Sequence, residues 1–228
     1  MRVARVESSG GMARALRELG FDQSLPTLVV VGGADGLAAA DHERLAPLIE
    51  NLAALAERRG AAVVDGGTDV GVMQLLGRAR ARGLTFPLVG VVVAGLAAEP
   101  PAEPRDGQAS LEPNHSHVLL VPGAEWGDEV PWLAQAAGIL AGDKPSVTIL
   151  VNGGDIAYAD AAASIAEGRR VLAVAGSGRS ADSVAAAVHG EPAGKRARML
   201  AGSKLVRAID LRADSELLLV EQILSAEG

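Results

Sequence analysis

Gly176-Ser177-Gly178-Arg179, with Asp182 three residues on, is the stretch whose residue types point most directly to phosphate chemistry. Glycines leave backbone N–H groups bare, Ser177 offers a hydroxyl, and Arg179 offers a guanidinium fork that meets a phosphate through paired hydrogen bonds. With Ala181 the stretch also fits the dinucleotide fingerprint G-x-G-x-x-G/A. Asp210 then stands where a ribose-binding acid is sought, at longer than the usual spacing. The bland reading is a strand-to-helix turn with an arginine in solvent. The phosphate loop is preferred because the chain repeats the device. Glycine pairs or clusters end five apolar runs, at Gly32-Gly33, Gly66-Gly67, Pro122-Gly123, Gly153-Gly154 and Gly176/Gly178. After Gly66-Gly67, Thr68 stands where a helix N-cap is expected, ahead of Val72, Leu75, Leu76 and Ala79 at helical spacing.

Asn114-His115-Ser116-His117 enters an apolar run. Alternation puts both histidines on one side of an extended segment, a spacing that suits two metal ligands with Asp128 or Glu129 as a third. Histidines at a strand entry more often hydrogen-bond within the protein or to a ligand, so no metal site is assigned. Glu129 and Asp160 are the carboxylates left for stabilising an oxocarbenium-like transition state. Lys195, Arg196, Arg198, Lys204 and Arg207 form a basic cluster, read as a solvated face. Neither G-x-S-x-G nor G-x-x-x-x-G-K-[ST] occurs, so a serine-hydrolase elbow and a P-loop are both excluded.

The elements that must position these residues follow from periodicity. Apolar runs of strand length occur at 27–31, 61–64, 88–93, 117–121, 147–151, 171–174 and 205–209, preceded by a short alternating piece at 3–6. Between them lie helical patterns at 12–19, 38–59 (containing Pro47), 68–83, 126–141, 157–167, 180–188 and 215–224. Strands alternating with helices predict an α/β, Rossmann-like, doubly wound sheet of about seven mainly parallel strands in a single domain spanning residues 1–228. Residues 1–25 read as an N-terminal arm. Residues 94–113, rich in proline and without periodicity, read as a long mobile loop near the crevice mouth. In such sheets ligands bind beyond the C-terminal ends of the strands, where the glycine turns converge.

Nearly half of the 228 residues are apolar but few are aromatic, so the core must be built from Val, Leu, Ile and Ala. The net charge of −7 argues against nucleic acid as a partner through the general surface. Cysteine is absent and no run reaches the roughly 18 apolar residues of a membrane span. A cytoplasmic protein is therefore expected. Homo-oligomers are common among such folds, and the apolar stretch 132–140 is a face that could serve.

Taken together, Asp65-Gly66-Gly67-Thr68 through Gln74, Glu112-Pro113-Asn114-His115-Ser116-His117 with Gly127 and Glu129, Val151-Asn152-Gly153-Gly154, and Gly176-Ser177-Gly178-Arg179 with Asp182 resemble the SLOG superfamily. The chain is most similar to the cytoplasmic N-terminal domain of melastatin-type TRP channels in its stand-alone prokaryotic form, over about residues 27–188. The resemblance implies a Rossmann-like fold and a nucleotide or NAD-derived ligand such as ADP-ribose, with no further cofactor required. It places phosphates or ribose at Gly32, Gly33, Gly66, Gly67, Thr68, Gly153, Gly154, Gly176, Ser177, Gly178 and Arg179. Asn114, His115 and His117 would support or contact the ligand, and Glu129 and Asp182 would take ribose hydroxyls or position Arg179. The related LOG phosphoribohydrolases carry P-G-G-x-G-T-x-x-E. Here Asn152 to Asp160 keeps the glycine pair but has Ile156, Ala157 and Asp160 at the later Gly, Thr and Glu. A sensor-type binding protein is thus expected, with a LOG-type hydrolase or a protein-interaction module as alternatives.

Overall fold

The computed structural model describes residues 1–33, 37, 39–210 and 214–226. The chain runs β1 (Arg2–Arg5), α1 (Met12–Leu19), β2 (Thr27–Gly32), α2 (Ala39–Arg59), β3 (Ala62–Asp65), α3 (Gly71–Arg80), β4 (Leu88–Val93), β5 (Ala97–Ala98), β6 (Ala109–Ser110), β7 (His117–Val121), α4 (Val130–Ala141), β8 (Ser146–Val151), α5 (Asp155–Ala166), β9 (Arg170–Val174), α6 (Arg179–Val188), α7 (Lys195–Ala201), β10 (Val206–Ile209) and α8 (Asp214–Ser225). The predicted start of the second helix at Ala38 lies outside the described residues.

Eight strands form one sheet in the order β1-β7-β4-β3-β2-β8-β9-β10, with every neighbouring pair parallel. The eighth strand is β1, which pairs with β7 from Arg2 opposite His117 to Arg5 opposite Leu120. Both faces are covered, which is why the inner strands read as unbroken apolar runs rather than alternating ones. Residues 28, 30 and 63 pack under α2, α3 and α8. Residues 29, 31, 64 and 89 pack under α1, α4, α5, α6 and α7. From β2 the chain steps outward one way through β3, β4 and β7, then returns to start β8 on the other side of β2. That reversal opens a crevice beyond the C-terminal ends of β2 and β8.

The structure departs from the sequence reading in five places. α3 takes Val70, not Thr68, as its N-cap; Thr68 is instead bridged to Leu111. α4 begins at Val130 rather than near Trp126, because Asp128 and Glu129 accept backbone N–H groups of residues 124, 125 and 127 and fold that stretch into a turn. The basic segment 195–201 is helical and buries Ala197 and Leu200. The loop 94–113 contains the short parallel pair β5–β6. It covers the sheet with a small cluster of its own, Ala97 and Leu111 on Val92, Val118 and Leu120. Finally, the apolar face of 132–140 is used in the core by Leu133, Ala136, Ala137 and Leu140, leaving Ile139 exposed.

Candidate functional site

The crevice at the strand reversal is a cleft of about 690 Å³, within the size range of small-molecule sites. Gly32 lines it from the end of β2, Gly66 and Thr68 from the turn after β3, Gly154 to Ala157 from the start of α5, and Arg179 from the start of α6. Segment 104–110 and Trp126 form the opposite wall. The sequence reading thus located the edge of the sheet and the loop at its mouth.

The floor is the N-terminus of α5. Gly154 is its N-cap, and no side chain caps the first turn. Those N–H groups and the helix dipole favour an anion. Arg179 reaches over them, since a Cβ on Gly154 would stand 3.1 Å from Arg179 Nη2. Arg179 holds φ at 48°, in the left-handed region that costs a non-glycine residue roughly 1–2 kcal/mol. Asn152, at φ 56°, does the same one turn earlier. Strain of this kind concentrates at ligand sites, where surrounding bonds enforce it.

Those bonds account for most of the Gly-Ser-Gly loop. Ser177, buried, donates from Oγ to the Val174 carbonyl at 2.7 Å and accepts from Asn152 N–H at 2.9 Å. The Ser177 carbonyl accepts from Asn152 Nδ2 at 2.9 Å, and Gly176 N–H donates to Asp182 Oδ1 at 2.7 Å. The first N–H groups of α6 are taken too: Ala181 donates to the Asn152 carbonyl at 2.9 Å and Ser180 to the Gly153 carbonyl at 3.4 Å. Gly176, Ser177, Gly178 and Asp182 therefore shape the 152–154 turn and aim Arg179, and Arg179 alone among them lines the cleft. Gly33 likewise lies outside the lining; it donates to the Val151 carbonyl and accepts from Val72 N–H, tying β8 to α3.

On the other wall, the Asp65-Gly66-Gly67 turn is fixed by a buried charge cluster. His115 Nε2 lies 2.7 Å from Asp65 Oδ1 and its Nδ1 2.8 Å from Glu112 Oε2. Two carboxylate acceptors require both ring nitrogens to carry hydrogen, so the ring is an imidazolium. Burial opposes the charge, but the two carboxylates outweigh it and raise the His115 pKa to about 9. Asp65 Oδ1 also accepts Gly67 N–H at 2.8 Å, and Glu112 accepts Asn114 N–H and Nδ2. Gly67 sits at φ 69°, and a Cβ there would come 2.8 Å from Gly90 Cα. Glycine is required there by the neighbouring strand. Asp65, Gly67, Asn114 and His115 are support beneath the cleft wall, and His115 has no ring nitrogen left for a metal.

His117 does not accompany His115. It sits at the opposite, N-terminal edge of the sheet, its ring centroid 4.7 Å from that of Phe21 and its Nδ1 2.8 Å from Ser116 Oγ. Burial, with the charges of Arg2 and Arg80, lowers its pKa to about 4, so it is neutral. The two carboxylates fall differently. Glu129 lines the cleft, its pKa raised by burial. Asp160 stands on α5 behind it, outside the lining. Surrounding protein and the Glu129 carboxylate push its pKa up to about 7.

The sequence reading did not single out Asp69, Val70, Met73 or Trp126, which also line the cleft. Residues 69–73 are the continuation of the central glycine turn into its helix. Trp126 carried a signal of its own, being one of two tryptophans in an aromatic-poor chain.

Solved structures share this architecture. The X-ray structure of TM1055, a structural genomics target, aligns with TM-score 0.59 and 21% identity, covering 86% of this chain and 99% of that one. The molybdenum cofactor carrier protein MCP from Chlamydomonas reinhardtii aligns with TM-score 0.57 and 16% identity, covering 89% of this chain and 99% of that one. At such identities the likeness speaks for the fold. Among curated proteins none matches the chain. The glycine turns, the Pro-Asn-His-x-His stretch and the Gly-Ser-Gly-Arg loop all lie inside residues 25–219, the part matched by the family described as SLOG in TRPM, prokaryote, and the chain belongs to that family.

Proposed function

We propose that the chain is a sensor-type binding protein whose cleft takes a nucleotide or an NAD-derived ligand such as ADP-ribose, without a further cofactor. The observation that carries this is the convergence of the strained Arg179 with the uncapped N-terminus of α5 inside one cleft. A phosphate there would meet backbone N–H groups, a helix dipole and a guanidinium together. Glu129, which lines the same cleft, would accept ribose hydroxyls. The absence of cysteine fits a reducing cytoplasm, and assembly into a homo-oligomer is part of the same reading.

A second reading is favoured by the Glu129–Asp160 pair. A carboxylate in the cleft with a second, proton-holding carboxyl behind it is equipment that glycosidic hydrolysis can use, Glu129 facing the ribose and Asp160 tuning its proton affinity from behind. Incubation with AMP, ADP-ribose and NAD, followed by thermal shift and chromatography, decides between them. A binding protein shows raised thermal stability with ligand intact. A hydrolase releases free base, and its rate falls as pH rises through about 7, where Asp160 loses its proton. No shift and no release with any of the three would refute both.

A further inference from the structure

We infer that Trp126 is the stacking platform for a planar base, so that the cleft selects a nucleoside phosphate over a phosphorylated sugar alone; this rests on the nucleotide reading above. Trp126 lines the cleft yet is 40% exposed. It is the only aromatic side chain among the described residues lining it. Its one polar atom is already bonded, Nε1 donating to the Gly107 carbonyl at 3.2 Å. What it still offers is the face of an indole ring, which gains by being covered with another flat, apolar surface.

The ring is held in place before any ligand arrives. Asp128 Oδ2 accepts Ala124 N–H at 2.7 Å and Glu125 N–H at 3.1 Å, and Glu129 Oε2 accepts Gly127 N–H at 2.9 Å. These bonds fix the turn on both sides of Trp126, so little ordering remains to oppose binding. The platform is also at the right end of the site. A Cβ on Gly127 would touch Ile156 Cγ1 at 3.6 Å, so the Trp126 turn packs on the first turn of α5, whose N-cap Gly154 lies under Arg179. A single helical turn thus joins the phosphate end to the aromatic end, with the Glu129 carboxylate on the Trp126 side.

The base would be read by its face and not by its edge. Gln108, the amide side chain on that wall, has both ends engaged within its own segment, Nε2 to the Gly95 carbonyl at 3.0 Å and Oε1 from Arg105 N–H at 3.1 Å. Stacking alone tolerates different bases, because each has a π-face.

Calorimetry with AMP, GMP and ribose 5-phosphate on the parent, Trp126→Ala and Trp126→Phe tests this. The parent should bind AMP and GMP alike, and ribose 5-phosphate roughly five- to a hundredfold more weakly. Trp126→Ala should bring AMP down to the level of ribose 5-phosphate without changing the latter, and Trp126→Phe should recover most of the loss. In a Trp132→Phe background, where Trp126 is the remaining tryptophan, its fluorescence should respond to AMP and not to ribose 5-phosphate. Equal affinity of the parent for AMP and ribose 5-phosphate would sink the platform and leave the phosphate site standing. Equal weakening of both ligands by Trp126→Ala would make the residue structural and overturn the inference. GMP binding far below AMP would overturn recognition by the face. Failure of the parent to bind any of the three would overturn the nucleotide reading and the platform together.

Discussion

His115→Ala should destabilise the fold by about 3–5 kcal/mol, the range expected when one partner is removed from a buried ion pair. His115, Asp65 and Glu112 are all buried, and the imidazolium is the one cation between the two carboxylates. Without it, one or both carboxylates must take up a proton or bury an uncompensated charge. Against a typical total of 5–15 kcal/mol such a loss can unfold the chain, so a gentler variant is needed beside it. Gly77→Ala acts from the other side, because a Cβ there would stand 1.9 Å from Glu112 Cδ and push the carboxylate from its place. The parent carries an independent signature. The pKa of His115 lies near 9 in the folded chain and near 6.5 when unfolded. Between those values the folded state holds a proton that the unfolded state has lost. Stability is therefore full below about pH 6.5 and falls as pH rises through about 9, by on the order of 3 kcal/mol. Urea unfolding at several pH values should show this slope in the parent and lack it in His115→Gln. Asp160 also favours the folded state at low pH, but its window closes near 7 and it is common to both proteins. A parent whose stability is flat from pH 7 to 9.5 would show that His115 is not the imidazolium of a buried cluster.

That cluster marks the limit of what the sequence could disclose. The sheet was legible because its inner strands are buried on both faces and so appear as unbroken apolar runs, five of them closed by glycine. The edge on which the cleft opens followed from the parallel topology. Alternation in His115-Ser116-His117 suggested one shared face, but the strand begins only at His117. His115 belongs to the turn before it and folds back over the bare Gly90, whereas His117 enters the opposite edge of the sheet. Two histidines two residues apart thus end in opposite charge states. Their partners, Asp65 and Phe21, lie 50 and 96 positions away, beyond any local pattern. Of the Gly-Ser-Gly-Arg loop, Arg179 lines the cleft and the other three residues do not. The loop's N–H groups were read as donors to a phosphate, yet Gly176 and Ser177 donate to Asp182 and to the Val174 carbonyl, and the turn after β8 takes the N–H groups of Ser180 and Ala181 at the start of α6. Trp126 escaped because a helix was read through it. Only the bonds from Asp128 and Glu129 turn that helical pattern into a loop that carries the ring to the cleft.

Arg179→Ala should weaken a phosphorylated ligand on the order of ten- to a hundredfold. A charge-assisted hydrogen bond contributes roughly 1.5–3 kcal/mol, and each factor of ten in affinity corresponds to about 1.4 kcal/mol. The helix terminus beneath it adds about 0.3–1 kcal/mol, and that part survives the substitution, so binding is reduced rather than abolished. Adenosine, which lacks the phosphate, should bind parent and variant alike. Backbone strain supplies a control that separates the ligand role from a structural one. Arg179 is held at φ 48°, a conformation that glycine adopts without cost and that alanine does not relieve. Arg179→Gly should therefore lose the same phosphate affinity as Arg179→Ala while being the more stable variant of the two, by roughly 1 kcal/mol. Titration calorimetry with AMP and adenosine, paired with urea unfolding of both variants, reads the two effects separately. If AMP and adenosine weaken equally, or if Arg179→Gly unfolds more easily than Arg179→Ala, the strained backbone is serving the fold and the phosphate assignment of the α5 floor fails with it.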